Sequence, residues 1–204
     1  MGIIILRGDD MKKKILYVHG LGSSANSSTG EMLRELLSEY EIITFDVPFD
    51  PLEADKLITE LGKNVDMIIG SSLGGFYAQS ADKTPKILIN PALNPSTLFR
   101  ESIGLGTYDY HSERQDGIQT YTIDNDYLEK LKMLEEVYVL WADTDAVVIW
   151  GTEDNLITDS TREMCEKLYY DSIRYEMGHR CTRECIENVI APLVRKALDD
   201  EKPQ

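Results

Sequence analysis

Short apolar runs alternate with segments of helical periodicity along most of the chain. The runs predict strands buried on both faces of a sheet; they cover residues 15–18, 42–45, 67–69, 86–90, 146–150 and 173–175. Apolar residues spaced three or four apart predict helices over 29–40, 52–63, 125–140, 160–169 and 182–198, with another after Gly75. Because alternating strands and helices form right-handed crossovers, the pattern predicts an α/β fold: a mostly parallel central sheet with helices on both faces.

The alternation breaks between residues 92 and 145. Apart from the helix predicted at 125–140, this stretch holds Pro95, two glycines around Leu105 and a polar segment. A connection this long inside a compact domain is usually functional. We interpret residues 92–145 as a cap-like insertion in a single domain that spans residues 1–204. Residues 1–10 precede a lysine-rich segment and are interpreted either as an extension or as an extra edge strand.

Composition and charge narrow the class of protein. A chain of 204 residues with 42% hydrophobic and 28% charged residues suits one globular domain with a sizeable core. No apolar run reaches the roughly 18 residues that a membrane span needs, so we expect no membrane contact. The formal net charge of −15 argues against nucleic acid as a partner, because contacts with phosphates need clustered Lys and Arg. The oligomeric state has no signature in the sequence.

The three cysteines, Cys165, Cys181 and Cys185, cannot all pair within one chain. With no secretory signal before the first strand, we expect reduced thiols and a cytoplasmic location. Cys181 and Cys185 lie near His179 in sequence, but two thiols and one histidine lack a fourth ligand and the C-x₂-C spacing of zinc sites. We therefore expect no metal, and nothing in the sequence indicates an organic cofactor.

The segment Gly70-Ser71-Ser72-Leu73-Gly74 reads G-x-S-x-G between a predicted strand and a predicted helix. In that context it is typical of a nucleophile elbow, a strained turn that needs small residues two positions either side of the serine. The glycine spacing selects Ser72 rather than Ser71, and the N–H of Leu73 would face an oxyanion formed there. The alternative is an ordinary strand-to-helix turn with a serine N-cap, unless a base and an acid accompany it.

Polar residues also follow the other predicted strands. The carboxyl ends of parallel strands lie at one edge of a sheet, where the functional residues of such folds gather. His19 and Gly20 follow the first strand, Ser72 the third, Asp154 the fifth and His179 the sixth. Serine, aspartate and histidine thus occur in the chain order expected of an α/β-hydrolase.

Over residues 14–198 the chain resembles a compact α/β-hydrolase, and in size and layout it resembles the small YqiA-like bacterial esterases. The resemblance rests on the elbow with its trailing Gly75 and on His19-Gly20-Leu21-Gly22 after the first strand. It implies a three-layer α/β-hydrolase fold and a backbone N–H of Leu21 that complements that of Leu73 in an oxyanion hole. It also implies that His19 and Gly20 brace this loop and contact the substrate.

The same resemblance implies a Ser-His-Asp triad. Ser72 would be the nucleophile, His179 the base, and Asp154 the acid that orients His179. The other acidic residues in reach of that role are less well placed: Glu153, Asp124 and Asp143.

A triad of this kind hydrolyses its substrate through an acyl-enzyme, so the expected partner is a small-molecule ester or thioester. Because the insertion is short, we expect carboxylic esters with small or short acyl groups. Apolar residues of the insertion either line an acyl pocket or only pack the cap onto the sheet: Leu93, Leu98, Phe99, Ile103, Leu105, Tyr108 and Tyr110. The alternatives are a non-catalytic binding protein on a hydrolase scaffold, a thioesterase, or a C–C hydrolase of the same fold.

Overall fold

The computed structural model describes residues 12–81, 83–138, 146–168 and 171–199. The expectations for residues 1–10 and for Asp143 concern residues outside these ranges, as do the predicted ends of two helices at residues 140 and 169.

Six parallel strands form the central sheet. They are β1 (Lys14–Val18), β2 (Glu41–Thr44), β3 (Met67–Ser71), β4 (Lys86–Ile89), β7 (Ala146–Gly151) and β8 (Asp171–Tyr175), in the spatial order β2-β1-β3-β4-β7-β8. Each of the five neighbouring pairs is parallel; Ile15, for example, is in register with Ile42 on one side and with Met67 on the other. All carboxyl ends therefore meet at one edge of this sheet. A separate antiparallel hairpin joins β5 (Gly106–Asp109) to β6 (Thr120–Ile123).

Eight α-helices connect and flank the strands. They are α1 (Ser28–Leu36), α2 (Pro51–Gly62), α3 (Leu73–Tyr77), α4 (Pro95–Ser102), α5 (Asn125–Tyr138), α6 (Asp159–Leu168), α7 (Arg183–Cys185) and α8 (Ala191–Asp199) in the described ranges. A 3₁₀ turn (Ala78–Ser80) continues α3, and a π-helical turn (Ile186–Ile190) joins α7 to α8. None of these helices is long and apolar enough to cross a membrane.

Two hydrophobic cores lie on the two faces of the sheet, because successive strand residues point to opposite sides. Ile15 and Tyr17 of β1 belong to one core, which also contains residues of α1 and α8. Leu16 and Val18 belong to the other, with residues of α2, α3, α4 and α5. Helices therefore cover both faces, and the predicted α/β class with its mostly parallel sheet is confirmed.

The insertion between β4 and β7 is more regular than its sequence indicates. Besides the predicted α5, it holds α4 and the β5–β6 hairpin, neither of which was predicted. The two hairpin strands have four residues each and are half exposed, so their apolar pattern is too short to stand out. Helix α4 begins at Pro95, and proline is favourable at the first position of a helix. Its eight residues span only about two turns, however, so the spacing of its apolar residues is too short to predict a helix.

The helix predicted over 182–198 is continuous in the structure, but its middle turn is π-helical. Helical residues run without a gap from α7 through the π-helical turn to α8. Pro192, the second residue of α8, has no N–H to bond the carbonyl of Asn188, and its ring crowds that carbonyl. A wider turn just before the proline relieves this conflict.

Candidate active site

Ser72 lies at a sharp turn between β3 and α3. Its backbone has φ 53° and ψ −119°, a region that non-glycine residues rarely occupy. The turn brings β1 so close that a Cβ at Gly74 would be 2.1 Å from the carbonyl oxygen of Val18. A Cβ at Gly70 would be 2.6 Å from the oxygen of Gly74. The two glycines of G-x-S-x-G are therefore required by close backbone approach, which distinguishes this turn from an ordinary N-cap.

A chain of hydrogen bonds links three residues from three different loops. The Oγ of Ser72 lies 3.0 Å from Nε2 of His179, and Nδ1 of His179 lies 2.9 Å from Oδ2 of Asp154. His179 follows β8 and Asp154 follows β7, so both loops leave the same edge of the sheet as Ser72. The structure thus brings together the three side chains that the sequence singled out.

The carboxylate of Asp154 is fully buried, and hydrogen bonds fix it in place. Its Oδ1 accepts the N–H groups of Leu156 at 2.8 Å and Ile157 at 3.2 Å, which leaves Oδ2 for His179. Burial by itself raises the pKa of Asp154, but the hydrogen bond and charge of His179 and the two backbone N–H groups outweigh it and lower the pKa. The group is therefore ionised at neutral pH and holds the imidazole by a charge-assisted hydrogen bond.

Two backbone N–H groups flank Ser72 without an acceptor. The N–H of Leu73 is the first of α3, and the N–H of Leu21 belongs to the loop after β1; neither donates to any atom of the described residues. Gly20 lets this loop approach, since a Cβ there would lie 3.1 Å from Cβ of Ser72. Unused N–H groups at this place are the donors that an oxyanion requires.

His19 is held by hydrogen bonds on both ring nitrogens. Nε2 accepts the N–H of Val47 at 3.1 Å, so Nδ1 carries the proton and donates to the carbonyl of Gly20 at 2.9 Å. The ring braces the loop after β1 against the loop after β2, as expected, and is only 5% exposed. The substrate contact predicted for His19 does not fit this arrangement, because no ring nitrogen is left; Gly20 does line the groove beside Ser72.

His19 makes the stability of the protein depend on pH. Burial, reinforced by the charge of Arg114, lowers its pKa to about 4 against the opposing hydrogen bond to Gly20. Between pH 6.5 and about 4 the unfolded chain therefore binds a proton here that the folded protein does not. We expect this site to contribute its full stability above pH 6.5 and to lose about 3 kcal/mol of it as the pH falls to about 4.

Urea unfolding at several pH values between 7 and 4 measures this loss. His19→Gln should be less stable than the wild type at pH 7 and should lose less stability on acidification. His111→Gln, at an exposed histidine, is the matched control and should keep the wild-type slope. An equal pH slope in wild type and His19→Gln would contradict the assignment.

Asn90 is a site-building residue that sequence reasoning missed. It follows β4 with φ 44°, and its side chain is fully buried. Its amide donates to the carbonyls of Gly178 at 3.1 Å and His179 at 3.0 Å, and its oxygen accepts the N–H of Gly151 at 2.7 Å. It therefore ties the loops that carry Asp154 and His179 to each other. Its only sequence signal is an asparagine at a strand end before a proline.

The groove at Ser72 has a volume of about 490 Å³. Two of the apolar residues considered for a pocket, Phe99 and Ile103, line it, together with Tyr121. The others lie elsewhere: Leu93 and Leu98 are in the core, Leu105 is 50% exposed, and Tyr108 and Tyr110 pack against Tyr121. The insertion therefore both lines the groove and packs on the sheet.

A larger cleft of about 630 Å³ lies between the loop after β2 and the insertion. It shares Tyr121 with the groove but contains none of Ser72, His179 and Asp154. Its carboxylates are largely engaged: Asp50 and Asp126 pair with Lys130. Size alone therefore does not identify the candidate site.

Neither Glu153 nor Asp124 forms a hydrogen bond or ion pair with His179. The side chain of Glu153 is exposed and contacts no described partner, and Asp124 accepts the N–H of Tyr127 at the start of α5. All three cysteines are buried and free, as expected for reduced thiols, and burial raises the pKa of Cys165 to about 12. Among the described residues, no group of three or more His, Cys, Asp or Glu could hold a metal ion.

Solved structures share this architecture. A monoacylglycerol lipase from Paleococcus ferrophilus is 16% identical with a TM-score of 0.63, covering 92% of this chain and 95% of that one. Est1E from Butyrivibrio proteoclasticus is 14% identical with a TM-score of 0.66, covering 95% and 92%. A 2-hydroxy-6-oxo-6-phenylhexa-2,4-dienoate hydrolase from Rhodococcus sp. strain RHA1 is 14% identical with a TM-score of 0.55, covering 94% and 92%. The fold is thus the α/β-hydrolase fold.

The family is defined by a match over most of the chain. The model of the "Uncharacterised protein family (UPF0227)" matches residues 14–184, and the chain belongs to this family. The resemblance to the YqiA-like α/β-hydrolases noted from the sequence is thereby confirmed.

Proposed function

We propose that this protein is a serine hydrolase that cleaves small-molecule carboxylic esters with small or short acyl groups. The observation that carries the proposal is the hydrogen-bonded chain from Asp154 through His179 to Ser72. This hydrogen-bonded chain ends at a strained turn, at Ser72, beside two backbone N–H groups without acceptors. A protein that only binds a ligand would have no reason to keep all these features together. The monoacylglycerol lipase among the structural relatives supports an ester substrate, by analogy of fold.

The geometry supports the following chemistry. Ser72 Oγ attacks the ester carbonyl while Nε2 of His179 takes its proton, and Asp154 stabilises the imidazolium through Nδ1–H. The N–H groups of Leu21 and Leu73 donate to the oxyanion of the tetrahedral intermediate. Collapse expels the alkoxide, which receives the proton from Nε2, and leaves an acyl-Ser72 ester. Water attacks this ester with His179 again as base, which releases the acid and restores Ser72.

The runner-up activity is cleavage of a carbon–carbon bond on the same residues, which one structural relative motivates by its name. Product analysis separates the two activities. An ester yields a carboxylic acid and an alcohol, whereas a C–C substrate yields a carboxylic acid and a product whose leaving carbon has gained a hydrogen.

Labelling with a fluorophosphonate, followed by peptide mass spectrometry, tests the proposal. We expect the wild type to be modified at Ser72 alone, because only a serine hydroxyl with an adjacent base reacts with this probe. Ser72→Ala should lose the label, whereas Ser71→Ala, one residue away, should keep it. A folded wild-type protein that is not labelled would favour the non-catalytic binding protein instead.

A further inference from the structure

The groove at Ser72 is lined by both apolar and polar residues. Phe99, Ile103 and Tyr121 of the insertion supply apolar surface. Short polar side chains after β1 and the charged residues Glu31 and Arg180 supply polar surface. A substrate that fills this volume of about 490 Å³ would have an apolar part and a polar part.

Arg180 differs from the other arginines that the structure describes. It is exposed and has neither a hydrogen bond nor an ion pair within the described residues. Every other described arginine bonds or pairs with the protein: Arg34, Arg100, Arg114, Arg162, Arg174, Arg183 and Arg195. In a chain with 36 acidic and 21 basic residues, a guanidinium without a partner inside a candidate active-site groove is well suited to bind an anion.

The position of Arg180 indicates which part of a substrate it would meet. Nε2 of His179 returns the proton to the leaving group, so the leaving group of a substrate would lie near His179, and Arg180 is the next residue of the chain and lines the same groove. Among the described residues that line the groove, Glu31 in the first turn of α1 is the one carboxylate, and it forms no ion pair with Arg180. The guanidinium fork therefore stays available for a carboxylate.

We propose that Arg180 is a specificity-determining residue that binds a carboxylate on the leaving group of the ester, while the acyl group lies against Phe99, Ile103 and Tyr121. The preferred substrates are then short-acyl esters of hydroxy acids. This inference rests on the proposed function.

Two probe esters test it: 3-butanoyloxybenzoate, which has a carboxylate on the leaving group, and its methyl ester, which is neutral. The quantity of interest is the ratio of kcat/KM for the acid to kcat/KM for the methyl ester. Comparing this ratio between variants cancels the intrinsic difference between the leaving groups. We expect Arg180→Gln to lower the ratio about tenfold and Arg180→Lys to lower it less, because lysine keeps the charge without the fork. Added salt should reduce the wild-type preference through screening.

Arg174→Gln is the matched control, since it removes the same charge from an exposed arginine of β8 outside the groove. It should leave the ratio unchanged, and an equal fall would show a general field effect and overturn the inference. A ratio that Arg180→Gln does not alter would overturn it too. So would an effect confined to hydrogen succinate esters, whose carboxylate is on the acyl side. If the wild type hydrolyses neither probe and no fluorophosphonate modifies Ser72, the proposed function itself fails.

Discussion

Alanine in place of His179 is expected to lower kcat on a short-acyl ester by about 10⁶-fold, and Ser72→Ala should have an effect of similar size. The reason is the 3.0 Å contact between Nε2 and Oγ, through which the base activates an otherwise protonated hydroxyl. Because the two side chains act as one unit, the double variant should be no slower than either single variant. Steady-state hydrolysis of 4-nitrophenyl butyrate measures all three.

The controls keep this prediction specific. Ser71→Ala removes the neighbouring hydroxyl and should retain most of the activity. Circular dichroism and urea unfolding should show that the Ser72 and His179 variants are folded, since neither residue belongs to the two hydrophobic cores. Effects of the two single variants that multiply in the double variant would mean that Ser72 and His179 act independently. The proposed mechanism would then be wrong.

Much of this arrangement was predictable because its signals are local. Alternating strands and helices determine a parallel sheet, and a parallel sheet brings its carboxyl ends to one edge. Ser72, Asp154 and His179 each lie in the loop or turn that follows a strand, so sequence order alone was enough to place them near one another. The glycines at positions 70 and 74 could be assigned because a tight turn tolerates no Cβ, as their contacts with β1 and α3 bear out.

The remaining features depend on contacts that sequence spacing does not encode. Asn90 meets Gly178 and His179 across nearly ninety positions of the chain, and His19 meets Val47 from another loop. Tyr121 of the hairpin in the insertion packs against Phe49, a residue after β2 that is distant in the sequence. Such contacts decide which polar residues brace the loops and which remain free for a substrate.

Asp154→Asn should lower kcat by about 10⁴-fold while leaving the protein folded. Asparagine retains an oxygen for the N–H groups of Leu156 and Ile157, so the loop conformation should survive. Its amide, however, can donate to Nδ1 of His179, which would place the ring proton on Nε2 and remove the lone pair that accepts the proton of Ser72.

Glu153→Gln is the matched control for this substitution, because it makes the same chemical change one residue earlier, on an exposed side chain without a described partner. We expect it to change kcat by less than about twofold, as an exposed charge away from the reacting atoms contributes little. Since the pKa of Asp154 is lowered, its carboxylate is already ionised at neutral pH, so the deficit of Asp154→Asn should persist when the assay pH is raised. Full activity in Asp154→Asn with loss in Glu153→Gln would instead identify Glu153 as the acid that orients His179.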